Sequence, residues 1–170
     1  MAIRNWLFLS LIIFVGCGQP NIADMKIISP HWEHNRTIPA QFTCAGEDIS
    51  PALEWSDIPA DTQSFVFIVR DPDAPSKEWI HWIVKDIPAN VTSVADNTVP
   101  TGGVEVMNDF GKTSWGGPCP PNGLHRYHFE LYALDVPTIN GNSLAEIETA
   151  MVGHIVGKAD LVGTFDLHNT

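Results

Sequence analysis

Hydrophobic and polar positions alternate with a period of two over much of the chain, in short runs rich in Val, Ile, Phe, Trp and Tyr. Runs of this kind are typical of β-strands. Turns that contain proline, glycine or asparagine separate them, at residues 71–75, 87–90 and 116–123. The spacing predicts a mainly β domain, built as an antiparallel sandwich or barrel. The predicted strands are residues 25–29, 64–70, 79–87, 104–107, 125–134 and 159–167.

One segment near the C-terminus has a helical pattern instead. Ser143 is a suitable N-cap, and Glu146 completes a capping box three residues later. Apolar residues then recur at helical spacing, which predicts a helix over about residues 143–157 with one face packed against a sheet. The residues on that face are Leu144, Ile147, Met151 and Ile155.

The first sixteen residues have the composition of a secretory signal peptide, with one cation, Arg4, before an apolar run from Trp6 to Val15. The run is about half the roughly twenty residues that a membrane-spanning helix needs, so we expect it to be removed. The residues Val15-Gly16-Cys17 resemble the recognition site of the bacterial lipoprotein signal peptidase. This resemblance implies that Cys17 becomes the lipid-modified first residue of an exported, membrane-anchored lipoprotein of the cell envelope.

These expectations divide the chain into a signal peptide at residues 1–16, a linker at 17–24 and one folded domain at 25–170. Removing the signal peptide leaves eight basic and twenty acidic residues, a formal charge of −12. Nucleic acid is excluded as a partner, because binding it requires a basic surface that replaces counterions.

Two cysteines remain when Cys17 carries the lipid. Cys44 and Cys119 would then form a pair outside the cytoplasm, which predicts a disulfide. Two separate buried thiols are the alternative.

Two of the predicted strands carry a histidine beside an aromatic residue, and each follows a loop that contains proline. Because side chains alternate between the faces of a strand, His125 shares a face with Tyr127, and His81 shares one with Trp79. Asp71 stands at the head of a proline-rich turn, and β-sandwich proteins place ligand sites in such loops. The pattern predicts a binding pocket.

Arg126 is the nearest cation in sequence to this pocket. Alternation places it on the opposite face from His125, so we predict that it forms a structural ion pair, with Asp73 as a candidate partner.

The same segments resemble the three motifs of the phosphatidylethanolamine-binding protein family, which includes the Raf kinase inhibitor proteins. The segments are residues 71–76 (DPDAPS), 78–82 (EWIHW) and 117–127 (GPCPPNGLHRY). Further segments similar to its bacterial and archaeal branch are residues 44–55, 108–111 and 153–165. The resemblance covers about residues 25–167, nearly the whole mature domain.

The resemblance implies a sandwich of two antiparallel sheets with a small pocket for phosphate-like anions or phospholipid head groups. It also implies a cis peptide between Asp71 and Pro72. No cofactor is implied, and a short loop at residues 76–79 argues against carrying over kinase inhibition. The implied ligand-binding residues are Asp71, Pro75, Trp79, His81, Pro120, Pro121, His125 and Tyr127.

The sequence thus predicts non-enzymatic binding of a small anion. Three alternatives stay open: a module that docks a phosphorylated or acidic segment of an envelope protein, a weak hydrolase, and a metal site formed by Asp71, His81 and His125. The chain has no Gly-x-Ser-x-Gly motif and no phosphate-binding P-loop.

Overall fold

The structure is a computed structural model that describes residues 22–168. The predicted signal peptide and Cys17 lie outside these residues. The described part contains ten β-strands and one α-helix, α1 (Leu144–Met151). The strands are β1 (Ala23–Asp24), β2 (Lys26–Ile28), β3 (Arg36–Thr37), β4 (Leu53–Ser56), β5 (Ser64–Asp71), β6 (Trp79–Pro88), β7 (Ser93–Val94), β8 (Val104–Val106), β9 (His125–Leu134) and β10 (Ile155–Phe165).

The strands form two sheets. In the larger sheet β10, β9, β5, β6 and β8 lie side by side, and each pairs antiparallel with its neighbour. The short strands β1 and β3 pair in parallel with β10. The smaller sheet has the order β2-β4-β7 and is antiparallel. The prediction of a mainly antiparallel, sandwich-like β fold is confirmed.

The main core lies between the two sheets and is rich in aromatic side chains. Trp55 of the small sheet meets Phe65 of the large sheet edge to face, with ring centroids 6.0 Å apart. Phe67 meets Trp82 in the same way at 5.6 Å. Edge-to-face pairs add to the free energy of apolar burial, so this layer holds the sheets together.

A second apolar cluster covers the outer face of the large sheet, where Ile68 and Ile83 pack with Ile147 and Met151 of α1. The helix therefore packs against a sheet, as predicted. The cap is also observed, since the Ser143 side chain accepts a hydrogen bond from the Glu146 backbone nitrogen at 3.5 Å. The Glu146 carboxylate accepts from the Asn142 nitrogen, at 2.8 Å, instead of completing the box at Ser143.

The predicted helix was too long. In the structure α1 ends at Met151. Gly153 follows with a φ of 83°, a left-handed conformation that glycine adopts without a Cβ clash and that ends helices. Ile155 belongs to β10, which begins there, yet it still packs against the same cluster as α1. No helix within residues 22–168 has the length and apolar character needed to cross a membrane.

The sequence missed most of the smaller sheet. β4 and β7 have four and two residues, and such short strands give too few alternating positions to stand out from loops. The larger sheet also includes Ala23–Asp24, which the sequence assigned to the linker; Ala23 pairs with Gly157 and Asp24 with Lys158.

Candidate functional site

Three strand ends meet at one end of the large sheet. Asp71 ends β5, Trp79 begins β6 and His125 begins β9. They adjoin a cavity of about 270 Å³. Its lining residues are Asp71, Ala74, Pro75, Ser76, Trp79, His81, Phe110, Cys119 and Pro121.

A β-bulge lies at His81, which lines this cavity. Val69 of β5 pairs with Trp82, whereas the next residue, Arg70, pairs with Ile80, so His81 is an extra residue in β6. Bulges re-aim side chains and are frequent beside functional sites. The imidazole lies against the ring of Tyr127, which is on the core-facing side of β9, with ring centroids 5.2 Å apart.

The His81 side chain is buried, with 3% of its surface exposed. Its Nδ1 lies 2.6 Å from the carbonyl oxygen of Gly116. A carbonyl can only accept, so Nδ1 carries a hydrogen and the neutral ring has a free acceptor at Nε2. Burial lowers the pKa of His81 below its ordinary value of 6.5, although the bond to Gly116 and the Asp71 carboxylate oppose the shift.

His125 is held by Asp71 on the neighbouring strand. Its Nδ1 lies 2.7 Å from Asp71 Oδ2, and both side chains are buried. The carboxylate accepts, so this ring too has its neutral-form hydrogen on Nδ1 and a lone pair on Nε2. Each ring therefore offers an acceptor when neutral and an N–H donor only when protonated, which makes the site sensitive to protonation.

Tyr127 lies between the two histidines. Its ring is nearly parallel to that of His125, with centroids 6.5 Å apart, and it is fully buried. Among residues 22–168 its hydroxyl makes no hydrogen bond of good geometry, although the Asp71 carboxylate and the Cys119 backbone lie close to it. Burial, together with the nearby carboxylates of Asp71 and Asp73, raises the pKa of Tyr127 far above 10, so the hydroxyl stays protonated as a donor.

Aromatic side chains form the opposite wall. Trp79 meets Phe110 edge to face at 5.4 Å, and Phe110 meets His81 at 5.3 Å. The loop that carries Phe110 is fixed by Asn108, whose side chain donates to the carbonyls of His81 and Ser114, both at 2.8 Å. The pocket thus combines polar groups with an apolar wall.

The predicted disulfide between Cys44 and Cys119 is present, with Cα atoms 5.4 Å apart. Cys119 lines the cavity. The bond therefore attaches the segment around Cys44 to the rim of the pocket.

Arg126 lies on the opposite face, as predicted. Its Nε and Nη2 donate to Asp73 at 2.8 and 2.6 Å, a two-point contact near the surface. These hydrogen bonds lower the pKa of Asp73 to about 2. The cation is engaged in an ion pair outside the cavity.

The expected cis peptide is not found. The bond between Asp71 and Pro72 is trans, as is every peptide bond in residues 22–168. The chain turns here through the Asp71 side chain, whose Oδ1 accepts from the Asp73 nitrogen at 2.9 Å. This short-range bond supplies the bend after β5.

No group of three or more His, Cys, Asp or Glu side chains in the described part of the chain is arranged to hold a metal ion. In particular, Asp71 Oδ2 and the Nδ1 atoms of both histidines are already engaged within the protein.

The sequence model for the phosphatidylethanolamine-binding protein family matches residues 28–166. The chain belongs to the phosphatidylethanolamine-binding protein family. The match includes α1, every strand from β3 to β10 and every residue that lines the cavity.

Similar proteins occur in archaea and bacteria. A UPF0098 protein of Methanothermobacter thermautotrophicus is 44% identical over 135 residues, which cover 75% of this chain and 89% of that protein. A UPF0098 protein of Aquifex aeolicus is 40% identical over 165 residues, 92% of this chain and 96% of that protein.

Two solved structures have the same fold. A phosphatidylethanolamine-binding protein homologue from Chlamydia trachomatis is 37% identical, with a TM-score of 0.80, over 84% of this chain and 97% of that one. YbcL of E. coli, described as a new member of the mammalian PEBP family, is 31% identical, with a TM-score of 0.79. The similarity covers 85% of this chain and 99% of YbcL.

Five of the eight ligand-binding residues predicted for this chain line the cavity. His125 and Tyr127 lie behind them, in contact with Asp71 and His81 respectively. Pro120 is buried next to the rim and is absent from the lining. The five lining residues are Asp71, Pro75, Trp79, His81 and Pro121.

Sequence reasoning did not assign Phe110 or Cys119 to the pocket wall. Both belong to segments that resemble the family, residues 108–111 and 117–127. The placement of Phe110 depends on how the 108–114 loop folds over β6, which no periodicity encodes.

Proposed function

We propose that the chain binds a small anionic group of the phosphate type, free or as a phospholipid head group, and does not transform it. The observation that carries this is one cavity lined by the buried His81 and by Asp71, whose carboxylate holds His125, with the buried Tyr127 packed behind His81. The family description itself names a binding activity.

The size of the cavity suits a head group. About 270 Å³ lies just below the roughly 300–1,000 Å³ of pockets for drug-sized ligands. Trp79, Phe110 and Pro121 provide apolar surface for a short carbon substituent beside the anion. An acyl chain would have to remain outside.

Simple binding also fits the chemistry of the lining. Ser76 and Cys119 are the lining residues with a hydroxyl or thiol group, and Cys119 is in the disulfide. No hydrogen bond of the described residues joins Ser76 to His81 or His125, as activation by a general base would require. The histidines are left with a role in recognition.

The test is calorimetric titration of the folded protein with inorganic phosphate and with phosphoethanolamine. His125→Ala should weaken binding at least tenfold, because it leaves the buried Asp71 carboxylate, which lines the cavity, unpaired beside the anion. His154→Ala is the matched control: it also removes a histidine paired with an aspartate, here Asp135 at 2.8 Å, but 43% exposed. Equal affinities for wild type, both variants and His81→Ala would contradict the proposal.

We further propose that the protein is exported and tethered through an acylated Cys17. The Cys44–Cys119 disulfide supports this, because disulfides persist mainly in oxidising compartments outside the cytoplasm. Intact mass measurement on membrane fractions of the source cells should give a chain that begins at Cys17 and carries lipid. A mature chain with an unmodified N-terminus would exclude the tether.

A further inference from the structure

Two loops distant in sequence pack backbone to backbone beside the pocket. The Cys44 nitrogen donates to the Pro118 carbonyl at 3.1 Å, next to the disulfide. Gly117 lies so close to the other loop that a Cβ there would be 2.3 Å from Asp48 Oδ1 and 2.6 Å from the Phe42 carbonyl oxygen. Only glycine fits this contact, which fixes the position of the Gly116–Gly117 segment.

One peptide group in that segment is held from both sides. Its N–H, from Gly117, donates to Asp48 Oδ1 at 2.8 Å. Its carbonyl, from Gly116, accepts the Nδ1–H of His81 at 2.6 Å. The two bonds lie at opposite ends of the same planar amide, so the bond to Asp48 favours the orientation in which the carbonyl faces His81. The Gly116 nitrogen also donates to the His81 carbonyl, at a longer 3.3 Å. A carboxylate on the N–H also polarises the amide and strengthens its carbonyl as an acceptor.

Asp48 does not line the cavity, and its backbone adopts a conformation that few residue types tolerate. Its φ of 56° is left-handed, a conformation that aspartate, asparagine and glycine tolerate better than other residues. The side chain is thereby held at the Gly117 nitrogen, while the disulfide joins the same two loops.

We propose that Asp48 is a positioning residue for His81: it fixes the orientation of the Gly116–Gly117 peptide, and so keeps the hydrogen of His81 on Nδ1 and its Nε2 free for the ligand. The disulfide holds the two loops in register for this contact. The consequence for affinity rests on the proposed function; the consequence for the His81 ring does not.

Two substitutions separate the hydrogen bond from the backbone. Asp48→Asn keeps an acceptor oxygen and tolerates the left-handed conformation, whereas Asp48→Gly tolerates the conformation and removes the acceptor. Asp57→Gly is the matched control, because Asp57 is also left-handed, with a φ of 59°, but is exposed and pairs with Lys26. All three proteins should retain the wild-type fold.

The first readout is ¹⁵N NMR of the imidazole rings at pH 8. Wild type, Asp48→Asn and Asp57→Gly should show His81 with its hydrogen on Nδ1, and Asp48→Gly should show a mixture of the two tautomers. The second is phosphate affinity, which should fall roughly three- to tenfold in Asp48→Gly alone, the value of one hydrogen bond.

An unchanged His81 tautomer in folded Asp48→Gly would overturn the proposal. Should that variant not fold, hydrogen exchange in the wild type decides: the Gly117 amide must be protected, and exchange at the rate of an exposed amide overturns the proposal as well. If wild type binds no phosphate, the proposed function fails while the ring spectra still test Asp48. If wild type binds and Asp48→Gly binds equally with an unchanged ring, only the positioning role fails.

Discussion

Phosphate should bind more tightly as the pH falls from 8 to 6. In the free protein burial lowers the pKa of His81 below 6.5, which favours the neutral ring. An anion in contact with the ring favours the imidazolium, so binding raises that pKa and takes up a proton. By linkage, affinity then increases as the pH decreases through the range between the free and bound values.

Direct contact between the anion and the imidazolium sets the size of the effect. Unit charges about 4 Å apart interact by about 4 kcal/mol at an effective dielectric constant of about 20, equivalent to about three pKa units. Uptake of one proton can change affinity by at most about tenfold per pH unit, or about a hundredfold over this range. Because burial opposes the charged form and the Asp71 and Asp48 carboxylates favour it, we expect an increase of roughly ten- to a hundredfold.

The assay compares two ligands by calorimetry at several pH values. Inorganic phosphate gains a P–O–H group as the pH falls and could donate it to a neutral Nε2, whereas dimethyl phosphate keeps one charge and has no such group. If the imidazolium is responsible, affinity rises for both ligands, and the rise is lost in His81→Gln but kept in His154→Gln. Affinity for dimethyl phosphate that stays constant from pH 8 to 6 would refute the reasoning.

Three further predictions concern the frame of the site. Replacing Cys44 and Cys119 by serine should lower the free energy of unfolding by about 4 kcal/mol, because the disulfide closes a loop between cysteines 75 positions apart; urea titration measures this, and a loss under about 1 kcal/mol would contradict it. Ile147→Ala should cost about 2–5 kcal/mol, since the side chain is fully buried under α1, yet phosphate affinity should not change. Arg126→Lys loses the two-point contact with Asp73, so NMR should show the pKa of Asp73 rising from about 2 toward its ordinary 3.8. Acid should then break this contact at a higher pH than in wild type. A simultaneous loss of phosphate binding would show that Arg126 contributes to the pocket.

The long strands and the core face of the site could be predicted because their alternation extends over many residues. β9 shows this best: His125 and Tyr127 face inward and Arg126 outward, in agreement with a period of two. The partner of Arg126 could also be named from sequence. Local patterns sufficed wherever a residue's role depends on which face of a strand it occupies.

Features that depend on distant segments were not accessible. The helix was overestimated because Ile155 continues the apolar spacing of α1, although Gly153 ends the helix and the residue packs on the same cluster from β10. Alternation also grouped Trp79 with His81 correctly but gave no sign of the bulge at His81. The contact between Asp48 and Gly117 joins residues 69 positions apart, and only the fold brings them together.

The extra residue at position 81 divides β6 into two stretches whose inward positions are out of phase. Trp79 faces the pocket side and Ile80 the outer cluster; beyond His81, Trp82 faces the core and Ile83 the outer cluster. If His81 were deleted, these four residues would alternate without interruption. The inward positions of β6 therefore keep their order without position 81, and the buried His81 side chain, packed against Tyr127 and Phe110, is an addition to that pattern at the pocket.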